Sequence, residues 1–190
     1  IREANCRGKP VITATEMLLS MVQSTTPTRA EATDVANAVL DGTDAVMLSQ
    51  ETSIGNYPVV ATATMAKIAL EAETTFPYQQ VFQERCQEIV PEVNDAAARA
   101  ACQIAHQVQA SAIVAFTIGG TTALRVSKYR PRQPILAVTP SETTQRRLSL
   151  LWGVLPVIKP GVSSLEGISE LASEVALETG IAKNGEFIVC

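Results

Sequence analysis

The stretch Pro27-Thr28-Arg29-Ala30-Glu31-Ala32-Thr33-Asp34-Val35-Ala36-Asn37-Ala38-Val39-Leu40-Asp41-Gly42-Thr43-Asp44-Ala45-Val46-Met47-Leu48-Ser49-Gln50-Glu51-Thr52 decides the fold. Ala32, Val35, Ala36, Val39 and Leu40 form the one-sided apolar stripe of a helix laid on a sheet. Pro27 and Thr28 open that helix over Arg29–Asp41, and Gly42 closes it. Ala45–Leu48 is then a continuous apolar run, as a fully buried parallel strand requires, and it empties into Ser49, Gln50 and Glu51. Lys9–Leu18 repeats the plan, with an apolar strand over Val11–Ala14 and Thr15 opening a helix over Glu16–Met21. Strands that end in hydroxyls and carboxylates, each followed by a helix, build the active-site rim of a (β/α)8 barrel. A further helix, Val59–Glu73, starts at Pro58, where a missing N–H costs nothing.

From Thr74 to Val93 the periodicity lapses, and Thr75–Gln80 and Val90–Glu92 carry the residues of a domain boundary. Alternation then resumes with helix Asp95–Gln109, strand Ala112–Phe116, helix Thr121–Tyr129, strand Ile135–Val138, helix Glu142–Leu150, strand Val154–Ile158, helix Leu165–Thr179 and strand Phe187–Val189. Four strands separated by helices predict a parallel sheet covered on its faces. The expected fold class is α/β: a partial (β/α)8 barrel segment over 1–75, then a three-layer α/β domain with a mainly parallel sheet over 76–190. The first part cannot close a barrel by itself and leaves sheet edges uncovered. The chain opens at Ile1 as if inside a helix and stops on the strand Phe187–Cys190, so it reads as a segment of a longer protein, with its second domain cut short.

Composition narrows the function. Of 190 residues, 46% are hydrophobic and 18% charged, a globular profile. A net charge of -4, no basic block and only 4% aromatic residues argue against nucleic acid. Cys6, Cys86, Cys102 and Cys190 lie far apart without CxxC spacing, as packing cysteines of a cytosolic protein do. With His106 as the single histidine, a histidine metal site or a Ser-His-Asp triad has little to work with. No apolar run approaches the ~20 residues of a membrane helix, and no signal peptide is visible. The expected location is cytoplasmic, with a plastid left open.

Three places carry chemistry. Thr15 either caps the helix after it or presents a hydroxyl to an anion beside that helix N-terminus. Ser49 and Glu51 leave the second strand at the same rim, as a turn start and a salt bridge to a neighbouring loop or as parts of an active-site wall. Thr117-Ile118-Gly119-Gly120-Thr121-Thr122 joins a buried strand to a helix; its glycines admit an anion, and its amides and hydroxyls supply donors. It lacks the Lys-Ser/Thr pair of a Walker A loop. Trp152 reads as core or interface packing. His106 sits near the edge of a stripe formed by Ala97, Ala101, Ile104, Ala105 and Val108 and reads as a surface or subunit-contact residue.

The segments 9–58 and 117–139 closely resemble pyruvate kinase, and Ser127-Lys128-Tyr129-Arg130-Pro131 is a specific match. The resemblance implies an enzyme that transfers phosphate from phosphoenolpyruvate to ADP, giving pyruvate and ATP, with Mg²⁺ (or Mn²⁺) and K⁺ held by residues outside this segment. It places Thr15 at the three-carbon substrate, Ser49 and Glu51 in supporting roles, and Thr117–Thr122 around a phosphate of an allosteric effector. It also implies a homo-oligomer, a tetramer when complete, with no nucleic acid and no membrane. Gln50 departs from the commoner small residue, and Ile54 and Asn56 stand where some relatives carry a lysine near the nucleotide. Relatives that take fructose 1,6-bisphosphate grip its second phosphate with tryptophan and arginine; here the comparable loop, Lys159–Glu166, has one lysine and no arginine. A monophosphate is then at least as good an effector. Without the catalytic lysine and metal-binding carboxylates, the segment alone is expected to be inactive. The competing reading is a stand-alone sugar-phosphate sensor or assembly module.

Overall fold

In the computed structural model, which describes residues 1–86, 92–161 and 165–190, the chain forms two compact units, Ile1–Pro77 and Tyr78–Cys190. The first unit runs α1 (Arg2–Cys6), β1 (Ile12–Thr13), a 3₁₀ turn (Leu19–Val22), α2 (Arg29–Leu40), β2 (Ala45–Val46), α3 (Gln50–Ser53) and α4 (Pro58–Thr74). β1 and β2 are parallel, with Ile12 opposite Ala45 and Thr13 opposite Val46. Val35 and Ala38 of α2 and Ala61 and Met65 of α4 close over Met17, Leu18 and Met21 to form its core. α2 begins with a reciprocal cap in which Thr28 accepts from the Glu31 amide and Glu31 accepts from the Thr28 amide.

The helix expected over Glu16–Met21 does not form. Thr15 and Glu16 have φ of 76° and 51°, outside the helical region, and the short 3₁₀ turn that follows is entered from Leu18 without a side-chain cap. The amides a helix needs are taken by acids from elsewhere: Leu18 N–H donates to Glu51 (2.9 Å) and Ser20 N–H to Glu31 (2.7 Å). Both strands are shorter than their apolar runs, and Ile12 and Met47 stay 48% and 44% exposed.

The second unit contains α5 (Tyr78–Cys86), α6 (Val93–Gln107), β3 (Ala112–Phe116), α7 (Thr121–Lys128), β4 (Ile135–Thr139), α8 (Glu142–Leu148), β5 (Val154–Ile158), α9 (Leu165–Glu178) and β6 (Ile188–Val189). The strands are parallel in the order β5-β4-β3-β6. β3 and β4 alternate between two cores, as a pleat demands. Ile113, Ala115, Ile135 and Ala137 face α6, α7 and α8, whereas Ala112, Val114, Leu136 and Val138 face α9. The result is three layers. α5 occupies part of the stretch read as a boundary without periodicity; residues 87–91 of that stretch lie outside the described residues.

α6 also turns a different face inward than its sequence suggests. Asp95, Ala98, Cys102 and Ala105 are buried, while Ala97, Ile104 and Val108 are exposed, and so is His106. An alanine-rich helix offers two stripes, and the buried one carries Asp95. That carboxylate accepts from Lys128 Nζ (2.8 Å) and the Tyr129 hydroxyl (2.6 Å), and all three residues are buried. Arg85 of α5 donates to the Lys128 carbonyl. The Ser127 hydroxyl donates to the Trp152 carbonyl (2.7 Å), and the Arg130 guanidinium lies over the Trp152 ring.

Burial opposes ionisation of Asp95, but Lys128 and Tyr129 outweigh it and hold the carboxyl below its ordinary value. Asp95→Asn leaves the Lys128 ammonium buried without a counter-charge, and stability to urea at pH 7 is expected to fall by about 3–5 kcal/mol. Because the folded pKa is depressed, the charge contributes fully above the ordinary Asp value. The gap between the two proteins therefore closes as the pH falls below about 4.

Candidate functional site

At the C-terminal ends of β1 and β2 the chain builds a rim from two loops. Glu51 lies at its base, 1% exposed, although it follows a run of polar residues. One carboxylate oxygen accepts from Leu18 N–H and the other from Ser49 N–H, at 2.9 and 2.8 Å. Burial works against its charge, but its own amide and those of Leu18 and Ser49 hold the carboxyl below the ordinary range; the Glu31 charge pushes weakly the other way. Glu51 therefore stitches the β1 loop to the β2 loop through backbone amides and forms no salt bridge among the described residues.

Ser49 stands at the entry of α3 and provides no side-chain cap. Thr15 is exposed, three residues before the clamped Leu18. A β-branched residue at φ 76° is a backbone outlier that costs about 1–3 kcal/mol and persists only where its surroundings enforce it. The Glu51 clamp on one side and β1 on the other supply that enforcement. The structure thus joins Ser49 and Glu51 directly and fixes the loop that carries Thr15. Sequence reading missed Glu31, whose carboxylate takes Ser20 N–H and the Ser20 hydroxyl as well as Thr28. The Thr28-x-x-Glu31 capping pattern was its available signal.

In the second unit the six residues of the Thr117–Thr122 turn divide the work. The Thr117 hydroxyl accepts from Gly120 N–H (2.9 Å), and the Ile118 carbonyl accepts from the Thr144 hydroxyl (2.8 Å), so these two shape the turn. Gly120 has φ 90°, and a Cβ there meets Leu148 Cδ2 at 3.1 Å, which demands glycine. A Cβ on Gly119 meets nothing within 4 Å, so the space over that peptide is open. Gly120 gives α7 no side-chain cap, and the first-turn amides remain available beside the exposed Thr121 and Thr122. Thr144, which braces the turn from α8, carried no sequence signal of this role.

The turn forms one wall of a cleft of about 510 Å³, whose opposite wall includes Lys159, Pro160 and Gly161. Among the described residues, Lys159 is its single charged lining residue. Residues 162–164 of the loop expected to hold a second phosphate lie outside the described residues. Among the described residues, no three His, Cys, Asp or Glu side chains converge where a metal ion could sit. No helix among them is long and apolar enough to cross a membrane.

Residues 1–62 match the barrel domain of pyruvate kinase and residues 95–190 its alpha/beta domain. The chain belongs to the pyruvate kinase family. It is 46% identical to the pyruvate kinase of Clostridium acetobutylicum over 100% of its own length and 40% of that relative. It is 44% identical to the Geobacillus stearothermophilus pyruvate kinase, again over 100% of itself and 32% of the relative. It thus spans between about a third and two fifths of the length of these pyruvate kinases. A crystal structure of a pyruvate kinase from Cryptosporidium parvum superposes with a TM-score of 0.93 at 40% identity, covering 98% of this chain and 38% of the other. The Cryptosporidium parvum enzyme in complex with ADP superposes with a TM-score of 0.88 at the same identity and coverage.

Glu51→Ala leaves two inward-facing amides without their acceptor, at about 1–3 kcal/mol each. The first unit is expected to lose that stability, and amide hydrogen exchange at Leu18 and Ser49 to accelerate by tenfold or more. A Glu51→Ala chain with unchanged exchange at both amides places the clamp elsewhere.

Proposed function

We propose that this chain serves in the enzyme that transfers the phosphoryl group of phosphoenolpyruvate to ADP, with a proton taken up at the three-carbon product, giving pyruvate and ATP. The observation that carries the proposal is the strained Thr15 at the C-terminal end of a barrel strand, held in place by the buried Glu51. Strain of this kind collects at active sites, and the C-terminal end of barrel strands is where they lie. Thr15 presents its hydroxyl to the substrate near the carbon that gains the proton. Ser49 and Glu51 act on that hydroxyl through the loop they fix. Pyruvate kinases typically use Mg²⁺ and K⁺; their ligands belong to residues beyond this chain, which alone is inactive. The functional assembly is a homo-oligomer, a tetramer when complete, in the cytoplasm.

The second unit is the regulatory part and holds a phosphorylated effector at Thr117–Thr122. Support comes from the uncapped first turn of α7, the open space over Gly119 and the cleft beside them. Anions are favoured there by free amides and the helix dipole.

Thr15→Val keeps the branched shape, and therefore the backbone strain, and removes only the hydroxyl. In an enzyme extended to the full length of its relatives, turnover is expected to fall by ~10²–10⁴-fold while the thermal midpoint stays unchanged. Turnover within twofold of the parent removes Thr15 from the chemistry. For the effector, Thr122→Val is expected to weaken binding of ribose 5-phosphate to the chain by about 10- to 150-fold, the worth of one hydrogen bond to a charged oxygen. Calorimetric titration reads this directly, and equal affinities make the turn purely structural.

A further inference from the structure

The carboxylate of Glu31 does more than cap its own helix. Oε2 accepts from the Thr28 amide and the Thr28 hydroxyl, both at 2.8 Å, which closes the reciprocal cap of α2. Oε1 accepts from Ser20 N–H at 2.7 Å, and the Ser20 hydroxyl donates to Oε2. A cap needs only the Thr28 contacts. One full oxygen is therefore spent on a segment 11 residues earlier in the chain. Burial opposes the charge, but the Ser20 and Thr28 donors outweigh it and hold the carboxyl below its ordinary value. Glu31 is thus an ionised acceptor at neutral pH.

Ser20 ends the stretch that carries Thr15. At the start of that stretch Met47 N–H donates to the Thr13 carbonyl (2.9 Å). At its end Leu18 N–H meets Glu51 and Ser20 N–H meets Glu31. Between them the amides of Thr15, Glu16 and Met17 find no acceptor among the described residues. Thr15 (φ 76°) and Glu16 (φ 51°) follow one another at positive φ, a conformation that relaxes unless its surroundings enforce it. The buried side chains of Met17, Leu18 and Met21 fix the depth of the stretch in the core but not the backbone before them. Glu51 holds it at one point, about which it can pivot. Glu31 supplies a second point two residues on and removes the pivot.

We infer that Glu31 is a positioning residue for Thr15: by tying Ser20 to the first turn of α2 it keeps, together with Glu51 on Leu18, the left-handed backbone that presents the Thr15 hydroxyl. Its catalytic meaning rests on the reading of Thr15 given above. Charge-assisted bonds from one carboxylate to two chain segments suit such a joint, because they are directional and strong.

Nuclear magnetic resonance of the chain separates the joint from the cap. Glu31→Ala removes both, whereas Thr28→Ala weakens the cap and leaves the bonds between Glu31 and Ser20. Glu31→Gln takes its place should Glu31→Ala fail to fold, and is expected to act in the same direction. In Glu31→Ala the Ser20 amide is expected to exchange about 10- to 150-fold faster, the worth of one hydrogen bond to a charged acceptor. The backbone chemical shifts of Thr15 and Glu16 should leave their left-handed values, while those of α4 stay. In Thr28→Ala the thermal midpoint should fall with the Thr15 and Glu16 shifts unchanged. If the glutamate variant leaves those shifts in place, or Thr28→Ala moves them as far, Glu31 is a helix cap only and the proposal is wrong. In the enzyme extended to the full length of its relatives, the glutamate variant is expected to lose about 10- to 100-fold in kcat with a smaller change in KM, as misplacement of a reacting group does. Unchanged kcat there, with turnover lost in Thr15→Val, overturns the positioning role and leaves the reading of Thr15 standing. Turnover of Thr15→Val within twofold of the parent removes that reading, and the positioning role falls with it.

Discussion

Each parallel strand delivers its backbone to a turn whose amides have lost their ladder partners, and those amides must be satisfied wherever water is excluded. The two units meet this constraint with different chemistry. In the first, carboxylates do the work: the buried Glu51 takes Leu18 and Ser49, and the partly buried Glu31 takes Ser20 and Thr28. In the second, the Thr117 hydroxyl ties the turn internally, the Thr144 hydroxyl braces it from α8, and the first amides of α7 are left at the surface. A carboxylate can serve two distant amides at once. It therefore suits a rim where two loops must be locked together, whereas a hydroxyl suits a turn that only has to hold its own shape.

α7 is a rod between two different kinds of site. Its N-terminus is open to the cleft, and its C-terminus is fastened by Lys128 and Tyr129 to Asp95 of α6, with Arg85 of α5 on the Lys128 carbonyl. Ser127-Lys128-Tyr129-Arg130 is therefore a structural clasp at the end of the helix away from the Thr117–Thr122 turn. A buried ion pair is poor at adding stability relative to apolar packing, yet removing one member is costly. Such a pair fixes the phase of α6 and α7 more than it strengthens their contact. That phase keeps Thr121 and Thr122 facing outward while Ala123 and Val126 pack inward.

Much of this was legible in the residues. β3 runs where its continuous apolar stretch lies, because a parallel strand buried on both faces needs apolar side chains at every position, and β5 also follows its apolar run although, at the sheet edge, it is only partly buried. α2 and α4 also matched, helped by Thr28 and Pro58 at their starts. The misses share a cause. Glu16–Met21 has helical spacing, but its amides are claimed by Glu51 and Glu31, 33 and 11 residues further along the chain, and local periodicity cannot register such partners. The α6 stripe was misphased because alanine is neutral between two faces, and the deciding residue, Asp95, looks like a surface acid until Lys128 and Tyr129 are seen beside it. The sequence pattern correctly marked Thr117–Thr122 as a turn, but not which of its residues brace it and which face the cleft.

The difference in amide chemistry also decides how function and stability are linked in each unit. At the first rim the groups that position Thr15 are buried, so a change to Glu51 disturbs the loop and the fold together. At the second turn Gly119, Thr121 and Thr122 are exposed, and water satisfies their amides when no ligand is bound. Under the effector reading proposed above, a phosphate would exchange those water contacts for charge-assisted ones without any buried group being uncovered. Substitutions at the exposed residues of that turn can leave the three layers intact, because the bracing belongs to Thr117, Gly120 and Thr144 and not to their exposed neighbours.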